Sequence, residues 1–170
     1  IFATLSPDAF FPGTGCFLQA KLGLKGIPAL DIRNQCSGFL YGLSIADAWI
    51  RTGMYKRVLL VGAEVHSTGL DFSDAGRDVD HTISKLELVE PLLGPTEDPD
   101  RGVHAVTIHA DGSGATDLWI EAPSSNRSPS RITHEMIDDR RIYTRMNGKQ
   151  VFRWATEKMP EAAHEVLRAS

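Results

Sequence analysis

In the stretch "DIRNQCSGFLYGL", residues 31–43, a cysteine stands between polar residues and a glycine, where an apolar strand pattern passes into an apolar helix pattern. A thiol placed there has a chemical use. At the start of a helix the partial positive charge of the N-terminus favours a thiolate, and a tight turn projects the side chain outward. The backbone N–H groups of such a turn, that of Cys36 included, are also placed to meet an oxyanion forming on a thioester carbonyl. Gly38 and Gly42 leave room for the turn and for another backbone to come close. Against this, free cysteines are among the most buried residues of globular proteins, and a packed thiol is an equal reading of the same residues. The local pattern leaves both open.

No other chemistry-bearing residues form a site by their spacing. Two cysteines 20 residues apart, Cys16 and Cys36, make no zinc pattern, and the histidines at 66, 81, 104, 109, 134 and 164 do not complete one, so no metal is expected. His109, in "HADG", is expected to end a strand with a local hydrogen bond, and the other five to lie at the surface. The absence of a secretory pattern and of an apolar run near 18 residues points to reduced thiols and a cytoplasmic protein, with a disulfide between the two cysteines as the alternative. A composition of 42% apolar and 24% charged residues excludes a disordered chain, and a net charge of -4 argues against nucleic acid or an anionic membrane as the partner of the whole surface.

The elements that must hold Cys36 read as alternating strands and helices. Residues 1–4 read as a strand entered midway; "CFLQAKLGL", punctuated by Gly23 and Gly26, as a helix; residues 28–32 as a short strand; and Phe39, Leu43, Ala46 and Ile50 as one helical face up to Gly53. "RVLLVGAE", 57–64, is a continuous apolar run of the kind a fully buried strand shows. That order implies a parallel or mixed sheet covered on both faces. Residues 65–80 read as a surface loop, "GVHAVTIHADG" as a strand ending at Gly112, 123–131 as a mobile loop, and about 148–169 as a helix. Val151, Trp154, Ala155, Ala162, Val166 and Leu167 form its stripe, and Pro160 is a point where it could kink. The chain starts inside a strand pattern and stops after a helical one, so a complete sheet is not expected within it.

The segments "FFPGTGC", "PALDIRNQCSGFLYGLSIADAWI", "VLLVGAEVHS", "HADG" and "RMNGKQVFRWA" together resemble the 3-ketoacyl-[acyl carrier protein] synthase III family of condensing enzymes. Residues 1–79 resemble the middle of that family and 103–170 the part that follows. The resemblance implies an α/β, thiolase-like layered fold, a mixed sheet with helices on both faces, incomplete in this chain. It places residues 1–93 in the N-terminal half with the nucleophile and 94–170 at the start of the C-terminal half. It implies that Cys36 takes an acyl group from acyl-CoA and holds it as a thioester while malonyl-[acyl carrier protein] is decarboxylated and condensed. By the same resemblance Phe11 reaches across a homodimer interface to close the partner's acyl pocket, Arg77 in "DAGRDV" contacts the nucleotide end of coenzyme A, Phe152 lines the pantetheine tunnel, and Met146 and Gly148 shape the acyl end. Each has a plainer alternative: a core phenylalanine, a solvated loop arginine, or helix packing. Acyl-CoA is then a substrate, and no cofactor is implied.

The match has departures. The family's N-terminal strand and helix, and its catalytic histidine and asparagine, are not in these residues. After Val79 the family's glycine-rich strand is replaced by "DHTISKLELVEPL", where Lys85, Leu86 and Glu87 lack the close backbone approach of glycine. Three other readings therefore stand beside fatty-acid initiation: a polyketide or head-to-head acyl-CoA condensing enzyme, a non-catalytic partner subunit, or a fragment. Five arginines within 127–145, set against Glu135, Asp138 and Asp139, read first as a solvated charged loop, with a basic surface for an acidic carrier protein as the alternative.

Overall fold

A computed structural model describes residues 1–73, 86–89 (backbone only), 91–126 and 129–170. Contacts divide the chain into two units: Ile1–Val65 with Leu86–Ile108 and Ser170, and His66–Lys85, as far as described, with His109–Ala169.

In the first unit β1 (Phe2–Ala3) runs parallel to both β2 (Asp31–Ile32) and β4 (Val61–Val65), and β5 (Leu86–Val89) adds antiparallel to β4, giving the order β2-β1-β4-β5. Successive residues of a strand face opposite sides, and the glycines show what covers each side. A Cβ on Gly15, in α1 (Thr14–Lys21), would lie 3.5 Å from the Phe2 Cβ, whereas one on Gly38, at the start of α2 (Gly38–Arg51), would lie 3.3 Å from the Ala3 Cβ. The two helices therefore cover opposite faces of a mixed sheet. On the α2 side Phe39 lies over Gly62, the residue paired with Ala3.

The apolar run 57–64 is two strands rather than one. β3 (Val58–Leu59) pairs antiparallel with β6 (Leu92–Leu93), and β4 begins at Val61. Between them Leu60 is wholly enclosed, and Phe2, Ala3, Ile32, Ala46, Val58 and Val61 of the same unit are buried too. The segment that departs from the family after Val79 thus still supplies strands to this unit, because strand pairing uses backbone groups that any residue but proline carries.

"FFPGTGC" and "ALDI" are physically coupled. Helix α1 has glycine at its N-cap and no side-chain cap of its own; instead Asp31 Oδ1, from β2, accepts the Gly15 N–H at 2.9 Å. A Cβ on Gly13 would sit 2.2 to 2.9 Å from the Asp31 carboxylate, so the glycine makes room for the cap. Gly53, at φ +72°, follows the end of α2 where the sequence places it, whereas α1 stops at Lys21, short of the Leu24 to which its sequence pattern runs, with Gly23 at φ +66° just beyond.

In the second unit β7 (Leu118–Trp119) pairs antiparallel with β8 (Arg145–Met146), and Met136 of α3 (His134–Asp138) is buried. α4 (Gly148–Ala169) continues through Pro160. Its start is held by Asp117, whose backbone carbonyl accepts the Asn147 N–H at 2.7 Å and whose carboxylate accepts the Asn147 side chain at 2.9 Å. Trp154 lies over Gly114, where a Cβ would fall 1.9 Å from the indole ring. Gly114→Ala should therefore lower stability by about 1–3 kcal/mol through overpacking. A melting temperature equal to that of the parent protein would show that the ring is free to move aside.

Three expectations are corrected. Residues 103–111 carry no regular strand: their apolar alternation suits extended chain, but a strand also needs a paired neighbour, and the Val103 carbonyl accepts from the Arg51 side chain at 2.8 Å instead. Leu167 is 71% exposed and lies outside the half-buried stripe of Val151, Trp154, Ala155, Ala162 and Val166, being a full 100° step around the helix from Val166. The His109 ring nitrogen bonds to Glu165 at 2.7 Å, a long-range partner rather than a local one.

Candidate functional site

β2 ends at Ile32, and after Arg33 and Asn34 the chain enters a single 3-10 turn, Gln35–Ser37, that runs straight into α2. The Asn34 carbonyl accepts both the Ser37 N–H at 3.2 Å and the Ser37 hydroxyl at 3.0 Å, and the Gln35 carbonyl accepts the Gly38 N–H. Gln35 takes φ +43°, a left-handed conformation that a residue other than glycine adopts at a cost of about 1–3 kcal/mol. Gly38, three residues on, is buried against Ala3, where an added Cβ would lie 3.3 Å from the Ala3 Cβ. This turn leaves Cys36 exposed and free, and among the described residues its N–H has no acceptor. The described residues therefore do not pack over the thiol. Cys16 is likewise free, so the two form no disulfide.

Because β1, β2 and β4 are parallel, their C-terminal ends share one edge of the sheet, the edge at which open α/β sheets place their ligands. The Cys36 turn follows β2 there. The loop of residues 5–13 follows β1, with Phe10 and Phe11 exposed to 60% and 87%. Phe11 is thus no core residue, and its side chain stands free of its own unit. The far end of the loop is tied where the Asp8 N–H donates to the buried Thr14 hydroxyl at 3.2 Å.

The remaining residues singled out from the sequence fall elsewhere. Met146, at the end of β8, and Gly148, at the start of α4, are neighbours, the Met146 Cε lying 3.8 Å from where a Gly148 Cβ would be. Phe152, on the first turns of α4, is 71% exposed. These three belong to the second unit, and Cys36 and Phe11 to the first. Arg77 lies outside the described residues. A cleft of about 430 Å³ in the first unit, lined by Leu18, Leu22, Ile27, Leu30, Trp49 and Val58 among others, includes neither Cys36 nor Phe11. Among the described residues no cluster of His, Cys, Asp or Glu is suited to a metal ion.

The arginines of 127–145 are largely neutralised from within. Arg141 pairs with Asp139 at 2.6 Å, Glu135 at 3.1 Å and Glu121 at 3.5 Å, which holds its guanidinium above its ordinary pKa, the Asp139 hydrogen bond being the main cause. Arg140 pairs with Asp71, and Arg145 donates to the Asp139 carbonyl at 3.0 Å. The Asp71 carboxyl lies below the usual carboxylate range, chiefly through its bonds from Ser73 and then from Arg140. Paired this way, these three arginines make a charged network rather than an open basic surface.

Comparison with known proteins gives these geometries a relative. A profile of the family described as 3-Oxoacyl-[acyl-carrier-protein (ACP)] synthase III matches residues 30–81, the segment that carries the Cys36 turn. The beta-ketoacyl-[acyl-carrier-protein] synthase III of Clostridium perfringens is 37% identical over 167 residues, covering 98% of this chain and 49% of that protein. The solved 3-oxoacyl-[acyl-carrier-protein] synthase III of Aquifex aeolicus superposes with a TM-score of 0.81 at 34% identity over 99% of this chain and 47% of its own. The priming beta-ketosynthase of the R1128 polyketide pathway superposes with a TM-score of 0.79 at 25% identity, over 96% of this chain and 46% of its own. The chain spans about half the length of the curated relatives it matches. Sequence and architecture thus agree along nearly every residue, and the chain is homologous to the 3-oxoacyl-[acyl-carrier-protein] synthase III family over about half of that family's length, carrying part of its thiolase-like fold.

Proposed function

We propose that this chain carries the acyl-accepting site of an acyltransferase that initiates fatty-acid synthesis. The observation that supports it most is the exposed Cys36 on a strained turn at a helix start, with its own N–H open beside the thiol. In the first half-reaction the Cys36 thiolate attacks the thioester carbonyl of acyl-CoA, the carbonyl oxygen collects negative charge against the Cys36 N–H, and the coenzyme A thiolate leaves as the carbonyl reforms. In the second, loss of carbon dioxide from malonyl-[acyl carrier protein] leaves a carbanion that attacks acyl-Cys36, joining the two carbon chains and returning the thiolate. That step draws on a proton-transfer group and a second oxyanion donor outside these residues.

Within this reading Phe11 projects from its loop towards the acyl pocket of a second copy in a homodimer, Arg77 takes the nucleotide end of acyl-CoA, and Phe152, Met146 and Gly148 line its path. Acyl-CoA and malonyl-[acyl carrier protein] are substrates, and no cofactor, metal or nucleic acid takes part. The proposed location is the cytoplasm; among the described residues no helix is long and apolar enough to cross a membrane. The similarity to a polyketide priming synthase supports a second reading, in which the same acyl-Cys36 starts a polyketide instead.

The test is direct. The full-length protein is incubated with acyl-CoA, digested and examined by mass spectrometry. The acyl mass is expected on the peptide containing Cys36, and acylation confined to another residue overturns the assignment. Condensation assays with fatty-acid malonyl-[acyl carrier protein], its polyketide counterpart and malonyl-CoA then separate the two readings by which acceptor supports turnover.

A further inference from the structure

The side chain of Glu64, near the end of β4, is a gathering point that neither the motif nor the proposed chemistry uses. Its carboxylate accepts the Leu5 N–H at 2.9 and 3.1 Å through its two oxygens, the Ser6 N–H at 3.2 Å, the Ser6 hydroxyl at 2.7 Å and the Thr4 hydroxyl at 3.1 Å. The Ser6 oxygen in turn accepts the Val65 N–H at 2.7 Å, closing the network back onto β4. Thr4 is buried, and Glu64 and Ser6 are half-buried, so these bonds are shielded from the competition of bulk water. Every bond on the carboxylate is one it accepts. Such a group is suited to hold backbone in place.

What it holds is the departure of the 5–13 loop. Leu5 and Ser6 are the first residues after β1, and the loop they begin carries Phe10 and Phe11 exposed at its tip and returns to Thr14 at the head of α1. β1 is also the strand between β2, which feeds the Cys36 turn, and β4, with the Thr4 N–H donating to the Ile32 carbonyl at 3.1 Å. Glu64 therefore fixes the origin of the Phe11 loop on the strand next to the one that positions the thiol.

We infer that Glu64 is a positioning residue for the acyl-binding part of the site: it clamps Leu5 and Ser6 so that Phe11 is presented at a set distance from its anchor, while the thiol is left untouched. The inference rests on the proposed acyl transfer through Cys36. Its consequence is selective. Loosening the clamp should weaken recognition of the acyl chain without altering the reactivity of Cys36, because the Cys36 turn is held by bonds of its own from Asn34 and Gln35.

The experiment compares the full-length wild type with Glu64→Gln and Ser6→Ala. In Glu64→Gln an amide nitrogen replaces one acceptor oxygen, so the crowd of N–H and O–H donors loses partners at little change in size. Hydrogen exchange is expected to be about tenfold faster at the amides of Leu5 and Ser6, with the Cys36 peptide unchanged. KM for acyl-CoA in the loading half-reaction should rise about fivefold to tenfold, with the rate of iodoacetamide alkylation of Cys36 within about twofold of wild type. Ser6→Ala, which keeps the charge, should move the same quantities less. Unchanged exchange at Leu5 and Ser6 overturns the clamp; faster exchange with unchanged KM overturns its role in acyl recognition; and equal losses in KM and in alkylation assign Glu64 to overall folding instead. A wild type that takes no acyl group at Cys36 refutes the proposed acyl transfer, and the exchange result still decides whether the clamp exists.

Discussion

Replacing Cys36 with alanine is expected to abolish acyl transfer, lowering the rate in the full-length protein on the order of 10⁴-fold or more, the scale seen when a covalent nucleophile is removed. The geometry gives the reason. The thiol is exposed at a helix start, and no second nucleophile shares its turn: Ser37, its neighbour, has its hydroxyl engaged with the Asn34 carbonyl at 3.0 Å. Cys36→Ser should be nearly as impaired, because a serine hydroxyl stays protonated at neutral pH and is a far weaker nucleophile than a thiolate. Cys16, equally exposed but in α1, is the internal control, and Cys16→Ala should stay within about twofold of the parent. The measurement is acyl-enzyme formation by intact mass, followed by steady-state condensation. Full activity in Cys36→Ala would reject the nucleophile and favour the reading of a non-catalytic subunit that only pairs with an active enzyme.

How much of this was legible beforehand differs by residue, for physical reasons. The Cys36 turn could be read because its signals are local: the end of an apolar run, a thiol, then glycine and a helical stripe. The end of α2 was legible because Gly53 takes the positive φ that glycine alone adopts at low cost. Gln35 was not, since glutamine advertises no left-handed conformation. Glu64 was hidden for a related reason: its partners Thr4, Leu5 and Ser6 lie about 60 residues away and meet it only when β1 pairs with β4. The strand expected over 102–112 failed because alternation reports which side chains face inward and says nothing about whether a neighbour offers hydrogen bonds. The arginines of 127–145 read first as a charged loop because Glu135, Asp138 and Asp139 stand among them, whereas the pairing of Arg140 with Asp71 was hidden because the two lie 69 residues apart. Gly13 carried no such signal, because what approaches it, the Asp31 carboxylate, comes from another strand.

Gly42 and Leu60 offer the largest stability effect, and it is one that a pair of substitutions reads better than either alone. Leu60 is wholly enclosed between β3 and β4, so Leu60→Ala should cost about 2–5 kcal/mol from lost transfer free energy and the cavity left behind. Gly42 lies opposite it in the middle of α2, where an added Cβ would stand 2.5 Å from the Leu60 Cδ1 and 3.6 Å from its Cδ2. Gly42→Ala alone is then pulled two ways: overpacking costs about 1–3 kcal/mol, while exchanging glycine for alanine within a helix returns up to about 1 kcal/mol. Steric crowding wins, because Leu60 has no exposed side to retreat to, and the single variant should be modestly destabilised. In the double variant the atom that Gly42→Ala collides with is gone, and the new methyl enters the space vacated by the leucine Cδ1. The overpacking cost vanishes, part of the cavity is filled and the helix gain remains. Gly42→Ala should therefore be destabilising in the parent and stabilising in the Leu60→Ala background, a coupling of about 1–3 kcal/mol in the direction of rescue. Denaturant unfolding of the four proteins measures it. Additive effects would show that α2 does not rest on Leu60 as described, and with it that the helix bearing Cys36 at its start is held to the sheet by other contacts.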